Sequence, residues 1–308
     1  MARPIEIRMG GYGPSTTCFS KALKLVGDRV EAAFGDAVRV HYVWNIMDLG
    51  YRAEDILWLV ESGVLSLGYQ SSSYLTDRVP ELGLADLPFL FADNDAARAA
   101  MDGALGDWMT SRIEAQCGYR ILGWFENGFR HVSNRLRPVR SAADLAGMSI
   151  RVLPSGVHAR SFALLGATPL RLDLTEAIAR IAAGTLDAQE NPLANTVTYG
   201  VHRFHPFHTL TGHFYVSRPV FVCRNQFDGW PPALRETMRA AVREAVVAQR
   251  VLTAEEDDDA RGAIAAAGCT LITPTAAEHA TFVDAVAPLL ADAEATYGSA
   301  AMRLIRQG

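Results

Sequence analysis

Apolar and polar residues alternate at the start of the chain, where Ile5, Ile7 and Met9 interleave with Glu6 and Arg8 and predict a strand. Gly10-Gly11-Tyr12-Gly13-Pro14 ends it, and a helix capped near Ser15-Thr16-Thr17 follows, with Phe19, Ala22, Leu23, Val26, Val30 and Phe34 on one face. Val38, Val40 and Tyr42 predict a second strand, 52–61 a helix closed by Gly63, and 64–69 a buried strand ending in Gln70-Ser71-Ser72-Ser73. An apolar segment at 86–91 precedes a helix over 95–116 and a strand over 118–124, and 125–132 reads as a crossing. Beyond it the alternation resumes: strand 149–153, helix 155–165, strand 168–172, helix 175–183, strand 186–190, helix 192–200. A long strand over 209–223, a helical pattern over 231–267 and a final helix with a Thr275…Glu278 capping box complete the chain.

Alternating strands and helices predict an α/β protein with mostly parallel sheets, whose ligands lie outside the carboxyl ends of the strands. The order repeats in the two halves without a sequence repeat, so two similar lobes are expected. We place the first at 1–126 plus 215–250 and the second at 127–214 plus 251–308, with the long helix spanning both and a possible kink at Gly262. A length of 308 residues allows each to bury a core.

Composition narrows the partners. Hydrophobic residues at 49% and charged residues at 20% are those of a folded globular chain, and a net charge of −5 argues against nucleic acid or an anionic membrane surface. No apolar run is long enough to cross a bilayer. Met1-Ala2-Arg3-Pro4-Ile5 enters a strand without a signal-peptide core, the form of a cytoplasmic protein or of an exported one whose leader is gone. Cys18, Cys117, Cys223 and Cys269 are far apart with no C-x-x-C pair, so we expect four buried thiols, with one disulfide left open.

The candidate chemistry lies between 147 and 192. Arg151 sits between Ile150 and Val152 in an apolar strand, where a guanidinium requires either a protein carboxylate or an anion from outside. Gln189-Glu190-Asn191-Pro192 closes another strand with polar groups, and Pro192 is expected to open the helix that follows. Asn191 is readable either as an amide donor facing the same cleft or as a helix cap. Arg130 is readable as a second cationic contact or as the partner of Asp173 or Glu190. Tyr12 and Gln70 lie in loops at strand ends, with Tyr69 beside Gln70; Phe125 is expected at the lip and Trp124 in the core. His202, His205, His208 and His213 do not match zinc spacing, and no metal or cofactor is expected. The run Glu255-Glu256-Asp257-Asp258-Asp259 reads as a solvated helix face, and Arg52 as facing solvent. Neither G-x-S-x-G nor H-E-x-x-H occurs, so an enzyme would have to use Glu190 or His213 as a base beside Arg151.

Taken in order, several segments resemble the solute-binding proteins of tripartite ATP-independent periplasmic (TRAP) transporters. They are Leu87-Pro88-Phe89-Leu90-Phe91, Gly128-Phe129-Arg130, Asp144-Leu145-Ala146-Gly147 with Ile150-Arg151-Val152, Leu165-Gly166-Ala167-Thr168-Pro169, Gly184-Thr185-Leu186-Asp187 leading into Gln189-Glu190-Asn191-Pro192-Leu193, and Thr211-Gly212-His213-Phe214-Tyr215. The resemblance implies a two-lobed periplasmic binding-protein fold hinged by crossing strands and a long helix, closing on an organic acid. It implies a non-enzymatic receptor outside the cytoplasm that delivers its ligand to TRAP membrane subunits; a monomer is the default expectation for a protein that must dock and release. By the same resemblance Arg151 pairs with the ligand carboxylate, Arg130 supports it, Asn191 supplies an amide, His213 lies near the cleft, and Gln70 matches a polar ligand contact. Ala188 departs from the family's glycine and Ser66 from a frequent acidic residue. A sensor input and a small-acid lyase are the alternative readings.

Overall fold

The computed structural model describes residues 3–305, so Met1 and Ala2, which precede the expected first strand, lie outside the described residues. The chain divides into two compact units, one of Met1–Ser71, Thr110–Glu126 and Ser217–Ala254, the other of Ser72–Met109, Asn127–Val216 and Glu255–Gly308. This differs from the expected boundaries in giving 72–109 to the second unit. The reason is local: Ser73 bonds Asp86, Tyr74 bonds Arg151, Thr76 bonds the Pro154 carbonyl and Arg171 bonds Asp77.

In the first unit, β1 (Ile5–Gly10) lies between β2 (Val38–Val43) and β3 (Leu67–Tyr69) and is parallel to both. Val64 is half exposed in a turn, so β3 is shorter than its apolar run predicted. The helix Cys18–Phe34 starts at Thr17, whose hydroxyl accepts the Ser20 amide, and buries Phe19, Ala22, Leu23, Val26 and Val30. The expected helix over 95–116 is two, Asn94–Asp102 and Ala104–Gln116, because the Gly103 amide caps the first on the Ala100 carbonyl.

Two strands run longer than expected and contribute to both units: β4 (Tyr119–Asn134) continues through the supposed crossing, and a later strand covers Phe207–Cys223. In the second unit β5 (Ser149–Val152) is parallel to β6 (Thr168–Arg171) and to β7 (Ala188–Asn191), and β7 is antiparallel to β4 through Val132↔Glu190 and Ser133↔Gln189. The Phe207–Cys223 strand, β8, pairs antiparallel with β3 at Leu67↔Val222 in the first unit and parallel with β9 (Thr270–Ile272) in the second. Ile150, Val152, Leu145, Met148, Phe162, Phe214 and Phe282 form the main core of the second unit.

The long helix is Pro232–Ala266, uninterrupted at Gly262, and at the usual rise it is about 50 Å long. The last helix, Ala276–Ile305, begins with the expected reciprocal bonds between Thr275 and Glu278 and breaks at Gly298, where φ is +84°. None of the four cysteines forms a disulfide; Cys269 is half-buried where a buried thiol was expected.

Candidate functional site

Strand β5 places Ile150 and Val152 in the core and leaves Arg151 alternate to them, yet Arg151 is itself only 1% exposed. Its Nε donates to the Leu172 carbonyl at 3.0 Å and its Nη2 to the Tyr74 hydroxyl at 3.0 Å. Both acceptors are neutral. Among the described residues no carboxylate pairs with this cation, and Nη1 has no protein acceptor. A buried charge in that state is costly unless an anion arrives.

Arg130 has the opposite arrangement. From β4 its Nε and Nη2 grip the two carboxylate oxygens of Glu190 on β7, and Nη2 also donates to the Glu190 carbonyl at 2.6 Å. Both side chains are buried. Burial opposes ionisation of Glu190, but the charge of Arg130, the nearby His213 ring and the hydrogen bonds from Arg130 outweigh it and hold the carboxyl below its usual range. Of the two partners the sequence left open, Glu190 is the one taken, and Arg130 is neutralised within the protein.

His213 extends this pair. Its Nδ1 is 2.6 Å from Thr211 Oγ1, its Nε2 is 3.5 Å from Glu190 Oε2, and its ring meets Phe162 edge-on. Burial lowers its pKa, with Glu190 pulling the other way. It therefore buttresses Glu190. Asn191 lies on β7 opposite His131, and its Oδ1 accepts from Asn195 Nδ2 at 3.2 Å, which also reaches Asn127 Oδ1 at 3.0 Å. With its oxygen engaged, the Asn191 amide NH2 is the end that donates to no acceptor among the described residues. Neighbouring strands β4, β7 and β5 thus carry Arg130, Asn191 and Arg151.

The residues expected from the first unit form a different structure. Tyr69 stacks on Phe19 at 5.1 Å and packs against Tyr12 and Phe125 at 5.3 and 5.9 Å. Phe125 is fully buried rather than at a lip, because β4 is covered on both faces and its neighbour Trp124 is buried too. The Arg218 guanidinium lies 4.0 Å over the Phe19 ring and 5.1 Å over that of Tyr12, a cation that sequence reading missed. Both ends of the Gln70 amide are used locally, by the Ala53 carbonyl and the Ser71 amide, which opposes its assignment as a ligand contact. The glycine loop does not make room for a ligand at Gly11: a Cβ there would lie 2.9 Å from the Trp44 carbonyl and 2.8 Å from the Tyr69 hydroxyl.

Elsewhere, His205 is 2.9 Å from Ser133 Oγ, and His208 is 2.8 Å from the His205 carbonyl, so both rings are tied into the fold. Arg52 pairs with Glu54 at an exposed helix start. A cavity of about 480 Å³ in the second unit, walled by Leu87, Trp108, Val157, Leu289 and Tyr297, contains none of Arg151, Arg130 or Asn191. The candidate site is therefore defined by charge rather than by volume. Tyr74 and Asn195 belong to it and carried no sequence signal beyond their hydrogen-bonding capacity.

The profile of the bacterial extracellular solute-binding proteins, family 7, matches residues 10–296. A solute-binding protein of Verminephrobacter eiseniae is 32% identical over 92% of this chain and 84% of its own length. The 2,3-diketo-L-gulonate-binding periplasmic protein of Escherichia coli is 30% identical over 72% of this chain and 67% of its own. A crystal structure of a TRAP periplasmic solute-binding protein from a Polaromonas species, bound to D-erythronate, superposes with a TM-score of 0.91 at 26% identity, covering 98% of each chain.

Proposed function

We propose that this chain, which belongs to the bacterial extracellular solute-binding proteins of family 7, captures an organic acid by its carboxylate on Arg151 and delivers it to the membrane subunits of a TRAP transporter. The family is one of binding proteins, not enzymes. The observation that carries the ligand assignment is the burial of Arg151 among neutral acceptors only. An incoming carboxylate supplies the missing counter-charge through two parallel hydrogen bonds, each of about 1.5–3 kcal/mol when charge-assisted. Because Nε is taken by Leu172, the carboxylate meets the Nη1 and Nη2 end of the guanidinium. Arg130 supports the same site, locked by Glu190 and His213 and lending stiffness rather than free charge. Asn191 adds an amide donor.

The named relatives bind 2,3-diketo-L-gulonate and D-erythronate, so oxygen-rich monocarboxylic acids are the first class to try, with succinate as the dicarboxylate comparison. Tyr12, Tyr69 and Phe125 are assigned to the packing of the first unit, and Gln70 to its loop, rather than to the ligand. Periplasmic residence follows the family. The experiment is isothermal titration with D-erythronate, D-galactonate, D-glucuronate and succinate, with neutral sugars as controls. Saturable binding of acids alone, absent in Arg151→Lys, is the expected result; acid binding unchanged by Arg151→Lys would sink the proposal, since a point charge lacks the planar fork.

A further inference from the structure

We propose that Tyr74 is a positioning residue for Arg151, holding its guanidinium in ligand-binding orientation while no ligand is present; this rests on the acid-binding reading above. An arginine in a polar cavity samples many rotamers, and freezing them on binding weakens affinity. Here the freezing is done in advance. The Leu172 carbonyl fixes Nε and the Tyr74 hydroxyl fixes Nη2, so the plane of the guanidinium is set by two points. Both acceptors are uncharged, which orients the cation without cancelling its charge. Arg130 shows the contrast, since the carboxylate that orients it also neutralises it.

Tyr74 can serve as a fixed point because its own segment is anchored on both sides. Ser73 Oγ donates to Asp86 Oδ1 at 2.7 Å, Thr76 Oγ1 donates to the Pro154 carbonyl at 3.1 Å, and Asp77 accepts from Arg171 at 2.6 Å. Pro154 lies two residues past β5 and Arg171 ends β6, so the segment is tied to the strand that carries Arg151 and to its neighbour. The ring of Tyr74 also packs against the core of the second unit, which keeps it in place when the hydroxyl is removed.

The test is titration of Tyr74→Phe and Tyr74→Leu with D-erythronate, D-galactonate and succinate, beside thermal unfolding of the ligand-free proteins. Tyr74→Phe removes the hydroxyl that accepts from Arg151 and keeps the ring. It should weaken binding roughly fivefold or more, as loss of a hydrogen bond to a charged group implies, with the ligand-free midpoint lower by at most the roughly 3–12 °C that this one bond carries. A merely structural tyrosine would behave differently: Phe would bind like the parent, and only Leu would lower the midpoint. Parent-like affinity of Tyr74→Phe overturns the assignment. A parent that binds none of the acids overturns the acid-binding reading itself, which is a distinguishable result.

Discussion

Replacing Arg151 with methionine separates binding from folding. In the ligand-free protein the guanidinium is buried with only the Leu172 carbonyl and the Tyr74 hydroxyl as partners. Methionine removes an uncompensated charge, whose effective burial cost is several kcal/mol. Against that stands the loss of two hydrogen bonds from a charged donor, about 1.5–3 kcal/mol each. The terms nearly cancel, and Tyr74, being half-buried, regains water. We therefore expect the ligand-free midpoint to stay within about 3 °C of the parent, taking roughly 2–4 °C per kcal/mol for a chain of this size. The ligand response differs entirely. At a hundredfold excess over its dissociation constant, a bound acid stabilises the parent by about 2.7 kcal/mol, a rise of roughly 5–10 °C. Arg151→Met should show none of it. Thermal unfolding with and without D-erythronate, D-galactonate and succinate measures both quantities. A ligand-free midpoint lower by ten degrees or more would make Arg151 a structural keystone and refute the reasoning, as would a retained ligand shift.

Glu190→Gln leaves the buried Arg130 without its counter-charge, and stability should fall by about 3–5 kcal/mol in denaturant titration; a loss below 1 kcal/mol would mean the pair is dispensable. Gln249→Leu strips both the amide and the carbonyl of buried Glu126 of their partner and should cost about 2–4 kcal/mol by the same assay. Acid should destabilise the protein in two stages. Burial pushes His131 and His205 down to about 3 and His208 down to about 4, so between those values and 6.5 the unfolded chain binds more protons. Stability then falls with pH by about 1.4 kcal/mol per unit for each such histidine. Glu190, whose pKa is depressed, adds a further loss once pH drops below 4.5. Denaturant midpoints at pH 7, 6 and 5 check the first stage, and a flat series would contradict the neutral, buried state of these rings.

Where a stretch carried one dominant signal, the sequence was legible. Period-two apolarity gave β1 and β2, a single stripe through Leu23, Val26 and Val30 gave the first helix, and the Thr275–Glu278 box marked the start of the last. Arg151 was legible because a guanidinium between Ile150 and Val152 is a conflict that burial must resolve. Three-dimensional pairing was not. Arg130 had two candidate carboxylates, and only the register of β4 on β7 puts Glu190 against it. Phe125 was misplaced because alternation assumes one wet face, whereas β4 is dry on both. Tyr74 and Arg218 gave no sign at all: their roles come from neighbours far away in sequence, Arg151 for the one and Phe19 for the other.

The partition of the chain bears on how the protein is made. The first unit needs Met1–Ser71, Thr110–Glu126 and Ser217–Ala254, and its β3 finds an antiparallel neighbour only at Val220–Val222. A nascent chain must therefore extend past Val222 before that pairing can form, and the second unit draws on Glu255–Gly308 as well. Neither unit can fold as an early, self-contained block, in contrast to the usual domain-by-domain order of synthesis. Pairings this distant in sequence also slow folding once the chain is complete. Local pieces such as the β1–β2 pair can form early, but each unit is completed only when its distant segments have been made.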